Sequence, residues 1–348
     1  MRFPNDTMAF TFIRPIPTPE EILRAHPLPA PLARRKAERD RAIIATLTGR
    51  RRLLVIIGPC SAHDEDAVLN YTERLARVQE EVADRLVLVP RIYTNKPRTT
   101  GEGYKGMVHQ PHHRRAPNMA EGIVAIRRLH IRALQATGLS AADEMLYPGN
   151  YPYLADLLSY VAIGARSVEN QLHRMTVSGL DVPVGMKNPT SGDLSVMFNS
   201  VRAAQIPHTF IYNGWEVATT GNPLAHVILR GAVDRYGLNI PNYHYEDLIR
   251  TAEMYRERPL RNPAIIVDTN HANSGRQHRE QPRIAMEVMY SRRNSPLLAS
   301  MVKGFLVESF LADGCQSSGG RTYGKSITDP CLGWPETRKL LLKIASLV

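Results

Sequence analysis

Four side chains spread along the sequence share one chemical aptitude. Cys60 in GPCSAHD (58–64), His271 in DTNHANSG (268–275), Glu308 in VESF (307–310) and Asp329 in YGKSITDPCLGW (323–334) offer a thiolate, an imidazole and two carboxylates. That mixed donor set suits a divalent transition metal. A second group is cationic: Arg91, Lys96, Arg98, Arg166, Lys187 and Arg230. Within it, RIYTNKPRTT (91–100) gathers Arg91, Lys96 and Arg98 with a rigid Pro97 and the Thr99 and Thr100 hydroxyls, an arrangement apt for phosphate and carboxylate. Together the two groups could hold a metal beside two small anions. Residues this far apart have no spacing signature of their own, so only a fold that converges distant segments could assemble such a site.

The periodicity describes such a fold. Short Val-, Ile- and Leu-rich runs stand at 53–58, 85–91, 139–144, 160–167, 182–187, 226–231, 264–271 and 302–309, separated by helical patterns at 67–82, 119–135, 193–205, 245–258 and 280–293. In the first of these, Val68, Tyr71, Leu75, Val78 and Val82 return to one face. Strand and helix alternating eight times predict an α/β fold, a (β/α)8 TIM barrel rather than an open doubly wound sheet; no G-x-G-x-x-G follows the first strand. Residues 208–221 read as a β-hairpin added to the barrel. Ahead of it, a Pro-rich arm, a short helix with Thr18 as N-cap, Pro19 at its first position and Glu21 closing a capping box, and a helix over 33–47 make an N-terminal helical extension. The division is therefore 1–48 as extension and 49–348 as catalytic barrel. Barrel enzymes carry their chemistry at the C-terminal ends of the strands. The eight expected ends present Cys60, Arg91, Glu144, Arg166, Lys187, Arg230, His271 and Glu308, each a residue capable of chemistry.

Composition narrows the classes. With 348 residues, 43% of them hydrophobic, the chain has ample material for a core. No apolar stretch is long enough to span a membrane, and the N-terminus lacks a secretory signal pattern, so a cytoplasmic protein with no membrane partner is expected. Three scattered cysteines exclude a disulfide framework. A net charge of +11 raises the question of polyanions. The basic runs ARRKAERDR (33–41), GRRR (49–52) and HHRR (112–115) come with no nucleic-acid motif, and the first alternates with acids as a solvated helix face does. No nucleic acid is expected; small phosphorylated substrates explain a basic site equally well.

The motifs GPCSAHD, KPRTT with YKG shortly after, AIGARSVENQLHR, PVGMKN, GNPLAHVILRG, DTNHANSG, VESF and YGKSITDPCLGW run in order from about Arg51 to the C-terminus. In combination they resemble the type I class of 3-deoxy-D-arabino-heptulosonate 7-phosphate (DAHP) synthases. The resemblance implies a transferase that condenses phosphoenolpyruvate with D-erythrose 4-phosphate in a metal-dependent, aldol-type reaction and releases phosphate. That is the first step of the shikimate pathway, leading to chorismate and the aromatic amino acids. It implies Cys60, His271, Glu308 and Asp329 as ligands of a divalent metal (Mn2+, Fe2+, Co2+ or Zn2+). Arg91, Lys96, Glu144, Arg166, Lys187 and Arg230 would hold phosphoenolpyruvate, and Arg98 with Thr99 would face the erythrose phosphate. Lys96 joins Cys60 and His271 as catalytic, either as proton donor near the aldehyde oxygen or as a purely electrostatic group. The extension would pack on a neighbouring subunit in a homodimer or homotetramer. RSVEN (166–170) and KNPTSG (187–192) depart from the family's commonest wording, as does EMLYPGNYPY (144–153) beside its inhibitor pocket, yet the ligands and cations survive. The alternative is a related phosphoenolpyruvate condensation with another sugar phosphate. His63 and Asp64 read as turn and helix-cap residues, and Cys315 has no role. Cys331, two residues past Asp329, is expected to reach Cys60 and form an inactivating disulfide when metal is absent.

Overall fold

Strands form where aliphatic and β-branched residues run together and both faces are covered. The computed structural model describes residues 10–49 and 51–348; residues 1–9 of the expected extension and Arg50 of GRRR lie outside the described residues. In chain order the strands are β1 (Leu53–Gly58), β2 (Leu86–Pro90), β3 (Ala141–Glu144), β4 (Leu158–Ile163), β5 (Val184–Lys187), β6 (Thr209–Tyr212), β7 (Trp215–Ala218), β8 (Ala225–Leu229), β9 (Ala232–Val233), β10 (Asn239–Ile240), β11 (Ile265–Asp268) and β12 (Val302–Glu308). One eight-stranded sheet runs β2-β1-β12-β11-β8-β5-β4-β3, with every pairing parallel. A parallel bridge between Arg91 and Ala142 brings its two edges together, and the sheet closes into a (β/α)8 barrel. Successive side chains point to opposite faces. Leu53, Val55 and Ile57 therefore pack outward with the helices, while Leu54 and Ile56 fill the interior with Val87, Val89, Ile228 and Leu306.

The helices are α1 (Pro19–Ala25), α2 (Ala30–Thr48), α3 (Glu65–Val82), α4 (Met119–Thr137), α5 (Gln171–Val177), α6 (Leu194–Ala204), α7 (Tyr245–Arg256), α8 (Gln281–Asn294), α9 (Pro296–Met301) and α10 (Trp334–Ala345). The capping box of Thr18 and Glu21 starts α1. The second helix does more than decorate the barrel. Its Ile43 and Leu47 are buried in the interior cluster, Arg39 Nη2 donates to Leu88 O at 2.6 Å, and Asp40 accepts from Ser159 Oγ. This plugs the N-terminal end and leaves the opposite rim for chemistry. Among the described residues no helix is long and apolar enough to cross a membrane.

All eight expected barrel strands form, as does the added hairpin, β6–β7. Three strand ends fall two or more residues short of the expectation, one of them the run 226–231, which stops at Leu229. The run 160–167 stops at Ile163, before Gly164, so Arg166 stands in the loop beyond. The run 264–271 stops at Asp268, whose Oδ1 accepts from Asn270 N at 3.0 Å and turns the chain; His271 follows with φ +49°. The two-residue strands β9 and β10 are too short for any periodic signal.

Candidate active site

The C-terminal rim collects the chemistry-bearing side chains. Cys60, two residues past β1, is fully buried, and its Sγ shares a space with the carboxylates of Glu308 and Asp329, all three donor atoms within 4.8 Å of one another. The thiol lies 3.6 Å from Asp329 Oδ2 and 3.0 Å from Lys96 Nζ. His271 stands just outside this tight group, with Nε2 3.8 Å from Glu308 Oε1 and Nδ1 2.8 Å from Asp268 Oδ2. Several polar atoms here are unspent. Glu308 Oε1 is 2.8 Å from Arg91 Nη2, yet neither it nor the close pair Asp268 Oδ2 and His271 Nδ1 has the alignment of a hydrogen bond. Buried polar groups are nearly always satisfied. Glu308 Oε1, buried without a hydrogen bond beside the Cys60 thiol and the Asp329 carboxylate, is a donor that a divalent cation of borderline softness would use, and the residues fit one.

Electrostatics divides these groups into proton holders and anions. Burial, then the Glu308 charge, pushes the Cys60 thiol up to about 11 despite nearby Lys96. A dication would reverse that preference, since the thiolate is the metal-binding form. Burial opposes the Glu308 and Asp329 charges, but Arg91 and His271 lower the first, while Lys96 and His271 bring the second down to about 2. Lys96 has the converse surroundings. Desolvation disfavours its charge, and Cys60, Glu308 and Asp329 more than offset this and raise its pKa.

Next to this corner opens a cleft of about 330 Å³ lined by Lys96, Arg98, Thr99, Glu144, Arg166, Lys187, Arg230, His271 and Asp329. Arg91 is not on its wall. Only 1% exposed, it lies behind, donating from Nη1 to Pro59 O, paired with Glu308 and stacked 3.8 Å over the Tyr93 ring. Lys187 Nζ is 3.4 Å from Asp268 Oδ2. Arg230 is buried with Nη1 unpartnered. Glu144 reaches the end of β4, where a Cβ on Gly164 would sit 2.6 Å from its Oε1 and would push the carboxylate aside.

Sequence reasoning passed over several contributors. Asp268 sits between Lys187 and His271, its pKa lowered by both against its burial. It was hidden inside a strand expected to run three residues further. Asn270 Nδ2 donates to Glu308 Oε2 at 2.7 Å, and Gln281 brackets Glu308, accepting from its N at 2.9 Å and donating to its O at 2.8 Å. Arg276 and Thr190 also line the cleft. Asp64 caps α3 by accepting from Ala67 N, and His63 Nδ1 lies 3.3 Å from Ser61 O, the turn and cap roles expected of them. Cys331 Sγ accepts from Cys60 N at 3.3 Å; Cys315 is exposed.

Comparison with known proteins shows the family. Residues 36–342 match the DAHP synthetase I family. The Trp-sensitive phospho-2-dehydro-3-deoxyheptonate aldolase of Escherichia coli K12 is 36% identical over 99% of this chain and 98% of its own length. The Tyr-sensitive enzyme of the same strain is 39% identical over 94% and 91%. The structure of phospho-2-dehydro-3-deoxyheptonate aldolase from Francisella tularensis SCHU S4 superposes with a TM-score of 0.90 at 30% identity, covering 97% of this chain and 98% of that one. The chain belongs to the DAHP synthetase I family.

Proposed function

We propose that the rim cleft condenses phosphoenolpyruvate with D-erythrose 4-phosphate to give DAHP and inorganic phosphate. The chain is a DAHP synthase, a transferase opening the shikimate pathway to chorismate and the aromatic amino acids. The observation that carries this reading is a buried cation with an unspent donor, Arg230, on the wall of a cleft that adjoins the Cys60, Glu308 and Asp329 donors.

Arg91, Lys96, Glu144, Arg166, Lys187 and Arg230 bind and orient phosphoenolpyruvate. Arg98 and Thr99 take the erythrose phosphate. Holding both anions sets the distance between C3 of the enol phosphate and the aldehyde carbon, which turns an encounter into a positioned reaction. Lys96, kept protonated by its three acidic neighbours, holds or gives a proton at the aldehyde oxygen as the carbon–carbon bond forms. Water adds at C2 and phosphate leaves with the C2–O bond. Cys60, His271, Glu308 and Asp329 hold the divalent ion, Mn2+, Fe2+, Co2+ or Zn2+. That ion supplies Lewis-acid stabilisation of charge developing on the aldehyde oxygen.

The enzyme works in the cytoplasm, where both sugar and enol phosphates are soluble. It assembles as a homodimer or homotetramer through the extension, residues 1–48, which serves the barrel of residues 49–348. Exposed Phe10 and Ile13, at 71% and 82%, support that use of the arm, and a monomer mass by light scattering would contradict it. The reaction is tested by phosphate release from the two substrates, with Mn2+ or after EDTA, in wild type and Cys60→Ala. Release that needs both aldehyde and metal and disappears in the variant is expected. Release that is indifferent to metal and to Cys60 would overturn the site assignment, and no release with any metal would turn the search to other sugar phosphates.

A further inference from the structure

Strand ends leave backbone amides and carbonyls without ladder partners, and buried ones must be paired by something else. At the adjoining ends of β5, β8 and β11 that task falls to three asparagines. Asn188 Oδ1 accepts from Arg230 N at 2.9 Å, and its Nδ2 donates to Gly231 O at 2.9 Å. Asn242, arriving after β10, donates from Nδ2 to the same Asn188 Oδ1 at 3.1 Å and accepts from Gly231 N at 2.7 Å. Asn273 Oδ1 in turn accepts from Asn242 N at 2.8 Å, while its Nδ2 donates to Leu229 O at 3.2 Å and Asp268 O at 2.8 Å. The turn between them has no slack. Gly231 has φ +74°, and a Cβ there would come within 2.6 Å of Asn273 N.

This network encloses the backbone of Arg230 on both sides. Arg230 is 6% exposed and its Nη1 is unpartnered, and among the described residues its guanidinium forms no ion pair. Its position in the cleft is therefore inherited from its main chain. We propose that Asn242, acting through Asn188 and Gly231, is a positioning residue that sets the Arg230 guanidinium for the enol-phosphate substrate. The inference rests on reading Arg230 as a phosphoenolpyruvate ligand. Asn242 does not line the cleft, and its effect is confined to one half of it, because Arg98 and Thr99 belong to the β2–α4 loop and share none of these hydrogen bonds.

The test uses the full-length, metal-loaded enzyme with Asn242→Ala and Asn242→Asp. Calorimetric binding of phosphoenolpyruvate and the separate KM values for the two substrates are measured. Losing the bridge should weaken phosphoenolpyruvate about tenfold in the alanine variant, with metal content and the KM for erythrose 4-phosphate unchanged. The aspartate variant keeps the size and the acceptor for Gly231 N but opposes Asn188 Oδ1 with a second oxygen. It too should lose affinity, whereas a space-filling role predicts that it behaves as wild type. Wild-type phosphoenolpyruvate affinity in Asn242→Asp, or equal weakening of both substrates, would overturn the proposal while leaving the reaction standing. If the wild-type holoenzyme itself fails to bind phosphoenolpyruvate, the substrate reading fails and the proposal falls with it.

Discussion

Among the described residues, one basic cavity has the makings of an active site and a second, larger one does not. The larger, about 530 Å³, lies between the 104–118 loop and the starts of α3 and α4, and it holds the HHRR run together with His63, Glu65, Glu121 and Arg128. Its charges are largely spent on one another. His112 Nε2 is 3.1 Å from Glu121, Arg128 is 2.9 Å from Glu65, and Arg114 donates to Gly320 O at 3.0 Å. His63 and His113 are held below the usual imidazole range, chiefly by burial. The 330 Å³ cleft is smaller, yet there Arg230 and Lys187 are buried and Arg230 Nη1 has no hydrogen-bond partner, nor have Asp268 Oδ2 and Glu308 Oε1 just behind the wall. Desolvated, unspent polar groups recognise a ligand far better than solvated pairs, which gain little from their own attraction. Neither size nor count of basic residues separates the two cavities; burial with hydrogen bonds left unmade does.

The largest effect that would sharpen this contrast is chemical. Metal stripping in air should let dissolved oxygen oxidise neighbouring Cys60 and Cys331 to a disulfide, abolishing activity and lowering the free-thiol count from three to one. An unchanged count would refute the pairing. Next comes Arg230→Ala, which removes a buried cation aimed at the substrate. It should lower kcat/KM for phosphoenolpyruvate by about 100- to 1,000-fold, the usual cost of deleting a preorganised group that stabilises developing charge. A loss under fivefold would erase the distinction between the cavities.

Acid offers an intermediate test of how burial keeps imidazoles neutral. His226 Nδ1–H donates to Leu224 O and Nε2 accepts from Tyr160 O–H, both at 2.8 Å, a tautomer that follows from the carbonyl being an acceptor only. Burial lowers its pKa from 6.5 to about 4. The unfolded chain therefore takes up this proton near pH 6.5 and the folded one only near 4. Its contribution to stability is complete above 6.5 and is lost as pH falls from 6.5 toward 4, by about 3 kcal/mol over the whole interval. His63 adds a smaller term of the same sign. Urea midpoints at pH 7.5 and 5 should differ less in His226→Gln than in wild type; equal differences would place the acid sensitivity elsewhere.

What could be read from the sequence follows from which interactions are periodic. Cys60, Lys187 and Glu308 end or directly follow apolar runs that are buried on both faces, so the barrel and their place on its rim were legible together. His271 and Arg166 were found as residues but set too close to their strands, because Gly164 and the Asp268 side chain end β4 and β11 early. Arg91, expected at the substrate, is almost fully buried. Its burial depends on Tyr93 and Glu308, a pairing across strands that leaves no trace in local spacing. The asparagine bridges around Arg230 are illegible for the same reason, since a side-chain amide pairs with whatever backbone the fold delivers.

The smallest expected effect is the one that most directly tries to break the comparison. Replacing Arg114 and Arg115 together with alanine removes two charges from the larger cavity, and on composition alone it should matter as much as a change in the cleft. Arg114 gives one hydrogen bond to Gly320 O on an exposed loop, and such contacts contribute roughly 1 kcal/mol or less. Both KM values should stay within about twofold of wild type, and the thermal midpoint should fall by a few degrees at most. A tenfold rise in either KM would show that the outer loop reaches the substrates, because Gly320 belongs to the segment that leads to Asp329. In that case the two cavities would be coupled through the 312–329 chain, and charge pairing in the outer one would have to be counted as part of the catalytic design.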